Sequence, residues 1–215
     1  MRTAIMAAAW LVLAVSPAQG TSIIDPWVEI LRAPAEPASI FCMPSGGGRA
    51  FAQAVADGGW AIDATLEIRL WTDAPGWGEP IPNFPREDIW LQCSDFGLVP
   101  CPGTGGFIPD SDTDAEGRTA WTQPLAAGGA CSPDSSGKLS IYVVGAFAGG
   151  QPDGLSIYAN SADLNGDGIM NLTDIGLFVS DLTGMYSYRS DFNWDGTINL
   201  VDVGWLATAL GSQCP

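Results

Sequence analysis

Apolar and polar residues alternate along residues 64–71, ATLEIRLW, as they do in a β-strand that buries one face. Further apolar stretches of strand length lie at residues 88–93, 118–121, 139–144 and 155–159. About seven short strands of this kind, separated by Gly/Pro/Asp turns and without helical periodicity, predict a β-sandwich. We expect this mainly β region to cover residues 21–161.

The periodicity becomes helical after residue 161. Apolar side chains recur there at intervals of three and four residues in two places, which predicts two short amphipathic helices. The first apolar stripe consists of Leu172, Ile175, Phe178, Val179 and Leu182, and the second of Leu200, Val203, Leu206, Ala207 and Leu210. We expect the two stripes to face each other, with Met170 and Ile198 adding a contact. The predicted fold class is mainly β, with a small α-helical module at residues 162–215.

A twelve-residue pattern, D-x-[DN]-x-[DN]-G-x-x-N-x-x-D, precedes each predicted helix, at residues 163–174 and, 28 residues later, at 191–202. Calcium prefers six to eight oxygen ligands, and a loop of this length can wrap around one ion. Glycine at loop position 6, Gly168 and Gly196, allows the sharp turn that such a loop needs. The sequence therefore predicts two Ca²⁺ ions. Their ligands are Asp163, Asn165, Asp167, the backbone carbonyl of Ile169, Asn171 and Asp174 in the first loop, and Asp191, Asn193, Asp195, the carbonyl of Thr197, Asn199 and Asp202 in the second.

The loops are also expected to start the helices. Asn171 and Asn199 directly precede the predicted helices, and Asn is a preferred N-cap residue. Each of them is therefore expected to join a calcium site to the first turn of a helix. A module of this size has a thin hydrophobic core. We therefore expect bound calcium to supply much of its folding free energy, and the calcium-free module to be partly unfolded.

The repeat resembles dockerin modules over residues 161–210. The resemblance is carried by the tandem duplication, by the short helix after each loop and by Asp rather than Glu at loop position 12. It implies calcium-dependent docking to a cohesin-like protein partner. Dockerins often carry Ser/Thr-type partner contacts at loop positions 10 and 11, where this chain has Leu172-Thr173 and Leu200-Val201, and the loop spacing is shorter than is usual. A more apolar interface is therefore expected.

Four apolar residues of the module are candidates for that partner surface. Two of them occupy matching positions outside the helical stripes, and two lie in the second loop: Leu177, Trp205, Phe192 and Trp194. The alternative is that these side chains pack on the β region of the same chain.

The β region resembles bacterial Ig-like domains of the invasin type over residues 60–160. The strand ATLEIRLWTD, the segment GEPIPNFP, the turn DTDAEGRTAW and a long apolar strand follow one another in that family's order. The resemblance implies an Ig-like β-sandwich domain at residues 21–161. It also favours a non-catalytic role for this domain.

The first 20 residues have the features of a secretory signal peptide. A basic start is followed by an apolar run at residues 4–15 and by small residues at 16–20. The run is shorter than the roughly 20 residues that a membrane-spanning helix needs, so membrane insertion is not expected. We predict an exported protein, secreted or associated with the cell surface.

Five cysteines in an exported chain indicate disulfides. Cys42, Cys93, Cys101 and Cys131 are the candidates in the β region, and three pairings among them are open. Cys214 is left over, as a free thiol, an intermolecular link or a partner that displaces one of the four. Zinc is disfavoured, because the sequence has no histidine and no CxxC spacing.

Composition narrows the function further. The chain carries 24 acidic and 8 basic residues, a formal net charge of −16, which disfavours nucleic acid and anionic lipid as partners. The lack of histidine excludes Ser-His-Asp and Cys-His catalysis. The remaining carboxylates outside the loops, such as Glu87 and Asp88, lie at strand starts and turns, so we expect no enzyme.

These observations lead to three hypotheses on function. The first is a calcium-binding protein that mediates extracellular protein–protein assembly through its dockerin-like module. The second is a self-assembling structural or adhesive subunit, whose module docks on the β region of a neighbouring copy and forms a fibre. Residues 27–31 would then donate a strand, and residues 186–188 would add contacts.

The third hypothesis is a carbohydrate-binding or polysaccharide-degrading accessory protein, because aromatic faces stack on sugars. Packing in the core and at sheet edges is the other explanation of the same residues. They are Trp27, Trp60, Trp71, Trp77, Trp90 and Trp121, of which Trp77, in a Pro/Gly-rich loop, is expected to be the most exposed.

Overall fold

The computed structural model describes residues 26–149 and 154–215. The signal peptide predicted at residues 1–20 lies outside these two stretches. Within them, no helix has the length and apolar character that crossing a membrane would require.

The fold is mainly β. The described residues contain twelve strands: β1 (Trp27–Arg32), β2 (Ala38–Cys42), β3 (Ala54–Ala56), β4 (Ala61–Ile62), β5 (Leu66–Trp71), β6 (Ile89–Cys93), β7 (Leu98–Pro100), β8 (Arg118–Trp121), β9 (Ala127–Cys131), β10 (Leu139–Val143), β11 (Ala146–Gly149) and β12 (Ile157–Ser161). Two α-helices follow, α1 (Leu172–Thr183) and α2 (Leu200–Thr208).

The strands form three sheets, with the orders β1-β5-β8, β11-β10-β6 and β4-β3-β2-β12-β9-β7. Among these strands, β2 and β12 pair in parallel, whereas their other neighbours are antiparallel. Strands of all three sheets contribute to one hydrophobic core, for example Ile40 of β2, Ile68 of β5 and Ile141 of β10. The β region is therefore a single packed unit.

The six-stranded sheet is covered on both faces. Ile40 and Cys42 of β2 belong to the main core, whereas Phe41 belongs to a second cluster, shared with the helical module. In β12, Ala159 lies in the main core and Tyr158 packs against the module. Successive side chains of a strand point to opposite faces, so each of these strands contributes to the main core with one face and contacts the module with the other.

Phe41 lies at the centre of the contact between sheet and module. Its ring meets those of Phe192 and Trp205 edge-on, with 5.1 Å between ring centroids in both pairs. Phe178 of α1 and Leu206 of α2 are buried in the same cluster. The module thus uses the outer face of the sheet as part of its own core.

The prediction that the two helical stripes face each other is wrong for most of their residues. Leu172 and Leu200 are 82% and 84% exposed. Each helix finds apolar partners only where it meets the sheet. It therefore turns one side towards the sheet and leaves its opposite side in solvent. The stripe residues that join the buried cluster are Ile175, Phe178, Val203 and Leu206, and Met170 and Ile198 join it as well.

The strands predicted from alternation are found, although their ends differ by a few residues: they are β5, β6, β8, β10 and β12. Two central strands of the six-stranded sheet have no such signal. β2 is buried at each of its five positions, so its sequence ASIFC does not alternate. β9, with the sequence AGGAC, contains two glycines, which are depleted in strands.

The disulfides are Cys93–Cys131 and Cys101–Cys214. The prediction that Cys42 forms a disulfide is wrong, because Cys42 is a buried free thiol. Cys214 displaces it, since the module folds back on the sheet and brings Cys214 to the β region. Burial raises the pKa of the Cys42 thiol to about 12, which keeps it protonated and unreactive at neutral pH.

Phe41→Ala is expected to lower the free energy of unfolding by about 3–5 kcal/mol, since it removes a packed ring between sheet and module. Urea unfolding in EDTA, followed by tryptophan fluorescence, measures the change. Phe96→Ala is the control, because Phe96 is 71% exposed. Equal effects of the two substitutions would contradict the packing described above.

Candidate metal centre

The first loop, residues 163–174, is organised around Asp163, which is fully buried. Its carboxylate accepts hydrogen bonds from the backbone N–H groups of Gly166 (2.9 Å), Asp167 (3.2 Å) and Gly168 (2.8 Å). Gly168 has a φ of +88°, in the region that favours glycine. The chain therefore wraps around the side chain at loop position 1.

The second loop, residues 191–202, repeats this arrangement. Asp191 is also fully buried and accepts hydrogen bonds from the N–H groups of Asp195 (3.1 Å) and Gly196 (2.9 Å). Gly196 has a φ of +85°. The hydroxyl of Tyr186 donates a further hydrogen bond to Asp191, at 3.0 Å.

Loop position 12 is tied to the start of each helix. In α1, Asp174 accepts from the N–H of Asn171 at 2.8 Å, while Asn171 Oδ1 accepts from the N–H of Thr173 at 2.8 Å. Both hydrogen bonds recur in α2, and each pair forms a capping box. Asp174 also accepts from the N–H of Asn165, at 3.2 Å, so one carboxylate connects the loop's beginning to its end.

The other predicted ligands lie beside these carboxylates. Asn165 Nδ2 donates to Asp167 Oδ2 at 2.9 Å, and Asn171 Nδ2 donates to the carbonyl of Ile169 at 3.1 Å. The corresponding distances in the second loop are 2.8 Å, from Asn193 to Asp195, and 3.3 Å, from Asn199 to the carbonyl of Thr197. Each loop thus gathers its six predicted residues into one cluster.

The chemistry of the donor set fits a hard divalent cation. All twelve predicted ligand groups are oxygens of carboxylates, amides or backbone carbonyls, which suit calcium rather than zinc. Asn193 Oδ1, at loop position 3, is buried and without a hydrogen-bond partner in the described part of the chain. A buried polar atom is normally satisfied, and a bound cation would satisfy this oxygen.

The raised pKa values of three loop carboxyl groups also favour a bound cation. Burial is the main cause that raises the pKa of Asp163, Asp191 and Asp202 above the usual range of carboxyl groups. Neighbouring carboxylates raise the pKa further in all three cases. A bound cation would offset the cost of holding these buried groups ionised.

A second cluster of potential ligands, Cys93, Asp95 and Cys131, lies in the β region. The two sulfur atoms are bonded to each other as a disulfide. Thiolates, the form in which cysteine binds metals, are therefore not present in this cluster.

The six-stranded sheet positions the second loop. Asn160 of β12, which is fully buried, donates from Nδ2 to the carbonyls of Asp191 (2.9 Å) and Tyr188 (3.3 Å). Tyr188 is buried as well, and its hydroxyl lies 2.6 Å from Ser39 Oγ of β2. The N–H of Gly58 donates to the carbonyl of Trp194 at 2.9 Å.

The first loop is held from the same sheet. The N–H of Gly129 in β9 donates to the carbonyl of Asp163 at 2.6 Å. Sequence reasoning missed these positioning residues, of which Asn160 is the clearest case. Asn160 directly follows the predicted strand at 155–159, and its signal was a polar amide next to an apolar strand, where burial would require hydrogen-bond partners.

The proposed partner surface needs correction. Phe192 is fully buried and Trp194 is 7% exposed, so neither is available to a partner. Trp205 is half-buried between Phe41 and the guanidinium of Arg49, which lies 3.8 Å from its ring centroid. Leu177 packs on the same cluster. Phe192, Trp194 and Trp205 thus contact aromatic residues of the chain's own β region, which is the alternative stated above.

The tryptophans of the β region differ widely in exposure. Trp121 is buried in the main core and donates from Nε1 to the carbonyl of Phe107 at 2.9 Å. Trp77 is 87% exposed, as its loop predicts. Trp27 and Trp60 are about half exposed, and Trp71 and Trp90 are half-buried on strands.

Comparison of the chain with protein-family models, with curated proteins and with solved structures finds no match. The functional interpretation therefore depends on the geometry of the loops.

Asn160→Ala removes both hydrogen bonds from the sheet to the second loop and is expected to lower the free energy of unfolding by about 1–3 kcal/mol. Urea unfolding in EDTA measures it against the exposed control Gln53→Ala. If the two variants are equally stable, the sheet does not position this loop.

Proposed function

We propose that residues 163–174 and 191–202 bind two Ca²⁺ ions. The observation that carries this proposal is the duplication of one local structure: a buried position-1 carboxylate, a glycine of positive φ at position 6 and a position-12 carboxylate in a capping box. The buried and unpartnered Oδ1 of Asn193 supports it independently. When bound, the ion supplies positive charge to a cluster of carboxylates.

The chain's own residues connect each loop to the helix that follows it. Asp174 and Asp202 each connect a loop to the first turn of a helix through hydrogen bonds to the N-cap N–H. A ligand that draws these carboxylates into the loop therefore also fixes the helix that follows. Calcium would stabilise the position of α1 and α2 on the sheet.

We further propose that the module mediates extracellular protein–protein assembly, in the manner of a dockerin. The supporting feature is the side of α1 and α2 that faces away from the sheet. We call it the helix surface; it consists of Leu172, Gly176, Val179, Leu200, Gly204 and Ala207, all of which are exposed. None of the exposed residues of these two helices is charged, in a chain with 24 acidic residues.

The helix surface has the composition of a protein–protein interface. Charged residues are depleted from the cores of protein–protein interfaces, whereas the open surface of a domain is normally charged. A Cβ atom placed on Gly176 or Gly204 would meet no atom within 4 Å, so a partner can approach the helix backbones there. Leu172 and Leu200 stand at loop position 10 of the two repeats, which connects the partner surface to both calcium sites.

Docking of the module to a different protein is favoured over docking to a second copy of this chain. The contacts named for self-assembly are residues 186–188 and a strand donated by residues 27–31, and Tyr188 and the strand are both used within the chain. Tyr188 is fully buried against the chain's own sheet, and β1 pairs with β5, with Trp27 opposite Trp71. The strand-donation hypothesis therefore conflicts with the fold as described.

Isothermal titration of the calcium-free protein with CaCl₂ is expected to give two ions per chain. Asp167→Ala and Asp195→Ala remove one ligand from each loop and should each reduce the number to one. Glu116→Ala, which removes an exposed carboxylate outside the loops, should leave it at two. At a calcium concentration roughly 1,000-fold above the dissociation constant, the bound ions would stabilise the fold by about 4 kcal/mol per site. A wild-type protein without calcium uptake would contradict the proposal.

Light scattering at high protein concentration with calcium tests the choice of partner. Docking to another protein predicts a monomer. Calcium-dependent filaments that disappear in the double variant Leu172→Glu/Leu200→Glu, but persist in the control Phe147→Glu, would instead establish self-assembly through the helix surface.

A further inference from the structure

The two loops differ in what supports the backbone around loop position 7. The first loop pairs with the tail segment, residues 212–214, through an antiparallel bridge between Ile169 and Gln213. The N–H of Cys214 donates to the carbonyl of Gly168 at 2.9 Å, and the N–H of Met170 donates to the carbonyl of Ser212 at 2.8 Å. The tail segment thus fixes the peptide groups on both sides of Ile169.

Ile169 is the residue whose backbone carbonyl stands at loop position 7. In an extended segment, the backbone groups of neighbouring residues point in opposite directions. The carbonyl of Gly168 and the N–H of Met170 face the tail segment, so the N–H and the carbonyl of Ile169 face the loop. Accordingly, the N–H of Ile169 donates to Asp167 Oδ1 at 3.0 Å, and its carbonyl accepts from Asn171 Nδ2 at 3.1 Å.

The second loop has the same inward groups but no corresponding support. Thr197 donates from its N–H to Asp195 Oδ1 at 2.9 Å. Across residues 26–149 and 154–215, however, no backbone segment pairs with the flanking Gly196 and Ile198. A Cβ on Gly168 would come within 3.0 Å of Cys214 Sγ, whereas one on Gly196 would meet no atom within 4 Å.

The tail segment is itself fixed to the β region. Cys214 is bonded to Cys101, which is 3% exposed and whose N–H donates to the carbonyl of Ala126 at 3.1 Å. Ser212 Oγ accepts a hydrogen bond from the N–H of Ser45 at 3.2 Å. The tail segment, which pairs with Ile169, is therefore held by a covalent bond to a buried residue of the β region.

We propose that the tail segment and its Cys101–Cys214 disulfide are positioning elements of the first calcium site, so that the two loops have different calcium affinities. The inference rests on the proposed calcium binding. Its physical basis is preorganisation: a ligand that is already oriented loses less freedom when the ion binds. The first site binds more tightly than the second because its position-7 carbonyl is held in place, and it loses this advantage when the disulfide is removed.

Site-resolved NMR titration of the ¹⁵N-labelled chain with CaCl₂ tests the proposal. The N–H of Gly168 donates to Asp163 and that of Gly196 to Asp191, so each amide signal reports on its own loop. In Cys101→Ser/Cys214→Ser, the calcium concentration at half-change of the Gly168 signal is expected to rise by about 10-fold or more, as for groups that orient a metal ligand. The Gly196 value should not change, and this also shows that the variant is folded. Cys93→Ser/Cys131→Ser, which removes the other disulfide, should leave the ratio of the two values as in the wild type.

A Gly168 value that stays constant, or that rises together with the Gly196 value, would overturn the proposal while calcium binding itself stands. A wild-type chain in which neither amide responds would overturn the proposed function instead. Should Cys101→Ser/Cys214→Ser fail to fold, the folded wild-type protein can be treated with a phosphine in water. The phosphine gives two electrons to the disulfide, and one water molecule supplies the oxygen of the phosphine oxide and the two protons of the thiols. Cys93 and Cys131 are buried whereas Cys214 is partly exposed, so Cys101–Cys214 is reduced first. The same selective rise at Gly168 is then expected, and its absence contradicts the proposal.

Discussion

Burial of both faces of β2 and β12 joins the β region to the helical module and sets where the two loops lie. One face of these strands completes the core of the β region, and the other carries Phe41 and Asn160, which hold the helical module. Because side chains alternate across a strand, neither face can be changed without an effect on the position of the other. The two loops are therefore attached to a sheet whose own position is set by the main core.

This arrangement changes the energetic role expected for calcium. The repeat by itself has a thin core, so the sequence predicts that the ion supplies much of its folding free energy. In the chain, Phe41 extends that core, and the Cys101–Cys214 disulfide closes the module onto the β region. We therefore propose that a bound ion would act mainly on local order, namely on the loop conformations and the helix starts, and through them on the helix surface that we propose for a partner.

Local patterns predicted what depends on local structure. The strand β5, the two twelve-residue loops and the N-caps Asn171 and Asn199 follow from alternation, spacing and capping preferences that act within a few residues. Long-range packing decided the rest. β2 does not alternate because it is buried on both faces, and the exposed side of the helices could not be recognised without knowing where the sheet lies. The pairing of Cys214 likewise depends on the module folding back, which no spacing of cysteines encodes.

Anomalous diffraction from crystals grown in calcium would test the central claim, that both loops bind calcium while they are packed on the sheet. We expect one anomalous peak inside each loop, within bonding distance of Asp163 and Asp174 in the first and of Asp191 and Asp202 in the second, with Phe41 still covered by Phe192. Loops without peaks at saturating calcium, or peaks in loops that have separated from the sheet, would contradict it.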